Sequence, residues 1–450
     1  MRSLSLRPVY SSLRSLMSNK PLSRRTFIGA AGATAGAVAV GSGVWATMLR
    51  DSVEKSALVG VGSSPSTTAA LVNSGAVPYG ERILVVLEMA GGNDAMNTLV
   101  PASGLYNDAR RELALRPKDL VTLAGTDYTL HPALASLAPY WDAGSMAAVA
   151  GVGLMDQSRS HFKAMDTWWS GSPGTPSQTG WLGRWLDATL EGPNDPLRAI
   201  ALGGGSRALV GEKTLATVVR NPANFSLRTF PNMDTDALIK AFLATAEPLA
   251  KSPELAAAQE AIPSTLEAVE LLASVSGDDD DGSVFGSGPQ RGGMTAADLL
   301  QTAAGIITLG VGTRVITVGI GGFDTHADQL GRHHDLLDDV GAGLAAFFER
   351  LAIDGNLDKV MVVTTSEFGR RIRENGSFGT DHGTGGLQFV FGPEVVGGQV
   401  VGDLDLANPV DGDLPILIDT RSVYSVGLDW LGGPTDGILA GPHDRLGLVA

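Results

Sequence analysis

Ile83-Leu84-Val85-Val86-Leu87-Glu88-Met89 runs straight into Ala90-Gly91-Gly92-Asn93-Asp94, an apolar and β-branched segment that stops at two glycines and an acid. A continuous apolar run of this length reads as a strand covered on both faces, which is the pattern of a parallel sheet. Three more runs follow the same plan, at residues 147–152, 314–320 and 360–365. Helical periods separate them, at 132–141, 161–169, 182–190, 296–309 and 334–351. Strands alternating with helices predict an α/β fold, a doubly wound and mostly parallel sheet with helices on both faces.

Between the second and third runs, residues 233–275 form two Ala/Leu/Glu-rich helical segments, followed by Gly277-Asp278-Asp279-Asp280-Asp281-Gly282. This stretch, about 210–295, is expected to be a helical insertion and acidic loop within one domain covering 81–450. The acid run lacks the spaced ligands of a calcium loop and reads as a solvated linker. No internal repeat is present.

Composition narrows the function. The 450 residues carry 33 Lys plus Arg against 48 Asp plus Glu, a net charge of −15. So acidic a chain argues against nucleic acid as a partner, because a phosphate backbone is engaged by concentrated basic side chains. The absence of cysteine excludes disulfides, thiolate-bound zinc, iron–sulfur ligation and thiol catalysis. Any metal must sit on oxygen and nitrogen ligands. The 58 glycines, against roughly 7% in ordinary proteins, signal many tight turns.

The amino terminus reads as an address. Arg2, Arg7, Arg14, Lys20, Arg24 and Arg25 precede an uncharged Ala/Gly-rich stretch from Phe27 to Leu49. A basic start followed by a mildly apolar region is the pattern of a signal peptide. The junction Ser23-Arg24-Arg25-Thr26-Phe27-Ile28 resembles a twin-arginine export signal over 1–50. An ordinary secretory signal or an uncleaved anchor is the alternative, since the apolar run is long enough to span a bilayer. Residues 51–80, rich in Ser, Thr, Gly and Ala, have the composition of a flexible linker. The expected location is therefore the periplasm, the cell envelope or the exterior, with the twin-arginine translocation machinery as a partner.

Polar residues collect where each strand ends. Asp94 follows the first run, Ser158-Arg159-Ser160-His161-Phe162 the second, Gly322-Phe323-Asp324-Thr325-His326 the third and Ser366-Glu367-Phe368-Gly369-Arg370-Arg371 the fourth. Gly379-Thr380-Asp381-His382-Gly383 comes soon after. Open α/β sheets bind ligands at the carboxyl ends of their strands, so these clusters should share one rim. Carboxylates and imidazoles suit zinc, manganese or calcium, one ion or two. Asp324 and His326, two apart on an extended segment, point to one side and are expected to share an ion; His382 beside Asp381 in a Gly-rich loop has little to pack against. Asp94 is either a ligand or a turn and cap residue. Glu367 is either a ligand or a partner for Arg370 and Arg371. Ser158 and Ser160 stand at a helix start, where a serine caps the helix or presents a nucleophilic oxygen. Arg370 is a candidate to clamp a phosphate or sulfate.

These motifs, together with Gly180-Trp181-Leu182-Gly183-Arg184-Trp185-Leu186-Asp187, resemble the exported bacterial family named domain of unknown function 1501 over about 80–450. That family is similar to the alkaline phosphatase and sulfatase superfamily, whose members place divalent metals and a Ser or Thr nucleophile at the carboxyl rim of such a sheet. The resemblance implies an alkaline-phosphatase-like fold, Asp94 as an acidic ligand, Ser160 (alternatively Ser158) as nucleophile, Asp324 and His326 as a ligand pair and His382 as a late ligand. It departs at Ser366-Glu367, where an adjacent Asp-His pair is expected. Either Glu367 substitutes as an oxygen ligand or Asp381-His382 is the displaced pair. The implied activity is metal-dependent hydrolysis of a small anionic ester. The alternative is a non-catalytic exported binding or assembly protein, with another exported or envelope protein as its partner.

Overall fold

The computed structural model describes residues 79–450 apart from 156–157, 174–176, 193, 221–234 and most of 247–293. The signal segment at 1–50, and all but the last two residues of the linker at 51–80, lie outside the described residues. So does most of the segment read as an insertion.

The body is built on a nine-stranded sheet. Its strands, in chain order, are β1 (Ile83–Met89), β2 (Met146–Gly153), β3 (Ala199–Leu202), β4 (Thr217–Val219), β5 (Val315–Ile320), β6 (Val360–Thr365), β7 (Gly386–Phe391), β8 (Gln399–Gly402) and β9 (Ile418–Asp419). They lie side by side as β8-β2-β7-β6-β1-β5-β3-β4, with β9 also pairing β2. All pairings are parallel except those of β7, which runs against both β2 and β6. The mostly parallel sheet expected from the apolar runs is therefore the sheet observed. Four strand positions agree to within a residue or so, and β1 sits centrally between β5 and β6.

Helices cover both faces. The six that matter here are α1 (His161–Ser170), α2 (Trp181–Ala188), α3 (Thr235–Ala244), α4 (Ala296–Leu309), α5 (Gln329–Ile353) and α6 (Thr420–Leu431). Alternation along β1 sends Val85, Leu87 and Met89 into a core shared with α4 and α5, and Leu84 and Val86 into one shared with α1, α2 and α6. Two apolar layers on one sheet make each strand an uninterrupted apolar run. β4 and α3 fall within the segment read as an insertion, β4 as the edge of the main sheet. Among the described residues, no helix is long and apolar enough to cross a membrane.

Topology aims the site. β1, β2, β5 and β6 are mutually aligned in the sheet, so the loops leaving them gather at one rim. β7 runs the other way, so the loop entering it, which carries Asp381 and His382, arrives at the same rim.

Candidate metal centre

The Gly91-Gly92 turn after β1 makes the floor. Gly91 has φ +125 and Gly92 φ +79, and a Cβ on Gly91 would stand 2.3 Å from the Asp324 nitrogen, so only glycine lets these loops meet. Both amides point into the rim: the Gly91 N–H donates to the two Glu367 oxygens (2.9 and 3.0 Å) and the Gly92 N–H to Oε2 (3.2 Å). The carbonyls of Gly91, Gly92, Phe323 and Thr380 accept from Arg370, whose side chain is fully buried. Arg370 thus pins three loops, and its Nη2 also donates to Asp324 Oδ1 at 2.8 Å.

Three imidazoles surround Asp324. His382 Nε2 lies 3.0 Å and His326 Nε2 3.1 Å from Oδ1, and His161 Nε2 lies 3.5 Å from Oδ2. The His326 and His382 Nε2 atoms are 2.9 Å apart. Ligand atoms of His161, Asp324 and His382 all lie within 4.8 Å of one another. The Phe368 ring backs His161 and His382 at centroid separations of 4.9 and 4.5 Å.

The far nitrogen of each ring meets an acceptor. His161 Nδ1 is 2.7 Å from Glu367 Oε1, His326 Nδ1 is 3.1 Å from Asp381 Oδ1 and His382 Nδ1 is 2.8 Å from the Arg159 carbonyl. Carboxylates and a carbonyl cannot donate, so each Nδ1 carries a hydrogen and it is Nε2 that each ring turns inward. Three imidazole nitrogens and a carboxylate then converge on one point beside the Arg370 N–H. Such an arrangement repels itself unless a cation, or a shared proton, sits inside. The donor chemistry fits a divalent metal, with the acceptors behind the rings fixing their tautomers.

The charges around it are arranged to match. Burial works to raise the Asp324 carboxyl, but the hydrogen bonds from His382 and Arg370 prevail and draw it down to about 2. Asp381 is likewise lowered, first by the Asn375 amide that donates to it at 3.1 Å.

The structure brings together Asp324, His326 and His382 and places the other expected site residues differently. Glu367 and Asp381 lie behind His161 and His326 and face the Nδ1 atoms, not the convergence point. Arg370 cannot clamp a substrate, because its guanidinium is spent on carbonyls and on Asp324. Asp94 is outside the cluster altogether: Arg110 donates to both of its oxygens, at 2.6 and 3.1 Å, and Gln329 and the Met96 amide donate as well. Ser160 is the exposed N-cap position of α1 and makes no side-chain cap bond, whereas Ser158 Oγ accepts the Ser160 N–H at 3.2 Å. His161 is the residue that no reading of the sequence singled out. Its place next to Ser160, after β2 on the shared rim, is the signal the sequence offers.

A family model described as a protein of unknown function, DUF1501, matches residues 124–411. No curated protein matches the chain. Among solved structures, the chain is similar to a protein in the alkaline phosphatase superfamily from Vibrio parahaemolyticus, at 10% identity over 80% of this chain and 68% of that one, with TM-score 0.39. It is also similar to the PsFucS1 sulfatase from Pseudoalteromonas sp., at 14% identity over 82% and 72% with TM-score 0.36. A third is the phosphonate monoester hydrolase SpPMH from Silicibacter pomeroyi, at 13% identity over 80% and 76% with TM-score 0.34. Values this low bear on no residue's role.

Proposed function

The chain belongs to the DUF1501 family, and from that membership and the geometry of its rim we propose that it is a divalent-cation-dependent hydrolase of phosphate or sulfate esters. The convergence of three imidazole Nε2 atoms on Asp324 carries the reading. His161, Asp324, His326 and His382 would hold the cation. Three imidazoles suit zinc or manganese better than calcium, which takes oxygen ligands. When bound, the cation supplies Lewis acidity to an ester oxygen and offsets charge that develops there.

The protein's own groups do the rest. Glu367, Asp381 and the Arg159 carbonyl hold the rings in register. Ser160 presents an exposed hydroxyl beside His161, unspent on capping, and is the nucleophile in this reading. The first-turn amides of α1, which the helix's own hydrogen bonds do not use, offer donors to the oxygens of an anionic ester. One cation is expected, because Arg110 already neutralises Asp94.

That last pair also favours a second reading. Where the family resemblance implies a further acidic ligand, an internal cation sits instead, as it would in an exported binding or assembly protein that keeps a cation site without turnover. Elemental analysis and hydrolysis of aryl phosphate and aryl sulfate esters separate the two. The wild type should carry a cation and hydrolyse one ester class, while Asp324→Asn and His382→Ala should lose both. A cation retained in both variants overturns the site; a cation without hydrolysis leaves the binding reading.

Export through the twin-arginine machinery, to the periplasm, envelope or exterior, is part of the proposal and rests on Arg24 and Arg25. Replacing both by Lys keeps the charge but removes the planar fork of the guanidinium. Cell fractionation should then find the protein retained in the cytoplasm, and normal delivery would refute the signal.

A further inference from the structure

A second carboxyl lies behind the centre. The alternation that buries Leu84 and Val86 against α1, α2 and α6 sends Glu88 the same way, and the residue is 8% exposed. Its Oε1 accepts the Ser206 hydroxyl at 2.6 Å. Among the described residues no cation pairs with it. A cavity of about 20 Å³ opens beside it, lined by Glu88, Trp168, Trp169, Thr365, Glu367 and Tyr424. That is room for about one water. The Trp168 indole N–H, buried on the same wall, has no acceptor among the described residues. A single water there would satisfy the indole and connect Glu88 to the side of the cavity that carries Glu367.

Among the described residues, the elements around Glu88 give it no positive neighbour. α1 contributes Met165, Trp168 and Trp169, α6 contributes Tyr424, the segment ending β6 contributes Thr365, Ser366 and Glu367, and Ser206 comes from the turn after β3. Burial pushes the Glu88 carboxyl up to about 7 against the hydrogen bonds of Ser206 and Trp169, with the negative charge of Glu367 adding to the rise. The Tyr424 hydroxyl is pushed up by the same burial and stays neutral. A carboxyl poised near neutrality, on the same small cavity as the residue that holds His161, is a group whose charge can follow the occupancy of the centre.

We propose that Glu88 is a reserve counter-charge for the cation centre, holding a proton when no divalent cation is bound and releasing it through the cavity water to solvent when one binds. The Glu88 O–H bond breaks, the proton passes to the water and on to buffer, and the carboxylate that remains joins Glu367 in offsetting the ion. Linkage makes the effect reciprocal: the ion loosens the proton, and loss of the proton tightens the ion. This rests on the proposed cation site.

Calorimetric titration with zinc, in buffers of different ionisation enthalpy, counts protons released per ion. At about pH 6 the wild type should release up to about one proton more than Glu88→Gln, and by about pH 8 the difference should vanish. Protons displaced from the histidines are common to both proteins and cancel. Equal counts at both pH values, with zinc bound by both, overturn the proposal alone; failure of the wild type to bind zinc overturns the cation site and this proposal together. A second readout needs no variant. The infrared C=O band of a buried neutral carboxylic acid should be present in the metal-free protein at about pH 6 and disappear on adding zinc, and its persistence would overturn the proposal.

Discussion

Asp94 follows β1 and Asp324 follows β5, so the two carboxylates leave adjacent parallel strands at one rim. Asp94 is 1% exposed and held by the fully buried Arg110, by Gln329 and by a backbone amide. Asp324 has a side chain 46% exposed and faces three imidazole Nε2 atoms. Both carboxyls are drawn below their ordinary range. At Asp94 burial opposes and the Arg110 guanidinium prevails; at Asp324 burial opposes and His382 with Arg370 prevails. The contrast lies in the source of positive charge. Asp94 has its cation built into the chain, and in the proposed reading its neighbour takes one from outside.

Breaking the internal pair should have the largest effect. Arg110→Met leaves Asp94 buried and uncompensated, which typically costs about 3–5 kcal/mol. Adding Asp94→Asn to that variant should recover much of the loss, since a neutral amide needs no counter-charge. Asp324→Asn, measured without metal, should cost about 1 kcal/mol or less, because a half-exposed carboxylate is screened by water. Chemical denaturation of the four proteins checks this, and equal costs for Arg110→Met and Asp324→Asn would dissolve the distinction.

The next effect sharpens it through pH. His333 lies beside the Asp94 side of the rim, with its Nε2 2.9 Å from Asn93 Oδ1 and its ring edge-on to His131. Burial pulls His333 from 6.5 down to about 4 and His131 from 6.5 down to about 3. The unfolded chain therefore binds protons that the native state refuses. The stability contributed by these neutral rings is full above about pH 6.5 and is lost as pH falls toward about 4, at about 1.4 kcal/mol per unit of displacement, so on the order of 3 kcal/mol for His333. His333→Gln should flatten the acid limb of the stability curve between about pH 6.5 and 4, and an unchanged limb would show that the ring titrates in the native state.

Much of the fold was legible because burial on both faces leaves a mark on every residue of a strand, as in Ile83–Met89 and Val360–Thr365. β7 left no such mark. Its residues are all buried, but Gln388 interrupts the apolar run, and its amide is taken up by Thr365 and Thr420 from distant parts of the chain. The centre divides in the same way. Asp324, His326 and His382 stood out through close spacing and Gly-rich surroundings. His161 did not, because its meaning depends on Glu367, 206 residues further on. Asp94 looked like a ligand for the converse reason, since nothing local revealed that Arg110 would be folded against it.

The smallest expected effect on stability is also the one that bears most on chemistry. A serine at a helix start usually caps it, and losing a cap costs about 1 kcal/mol. Ser160 occupies the N-cap position of α1, yet its hydroxyl makes no cap bond, and the local turn is closed instead by Ser158 Oγ on the Ser160 amide. Ser160→Ala should therefore leave melting within about 0.5 kcal/mol of wild type and leave cation content unchanged, as for other surface substitutions. Ester hydrolysis should fall to background, because the hydroxyl is then the group that attacks. Ser158→Ala reverses the pattern, losing some stability through the opened turn while retaining turnover. If Ser160→Ala keeps full hydrolysis, the nucleophile is not on α1. If it loses about 1 kcal/mol and keeps hydrolysis, Ser160 is a cap, and Asp324 with its three histidines must be explained without it.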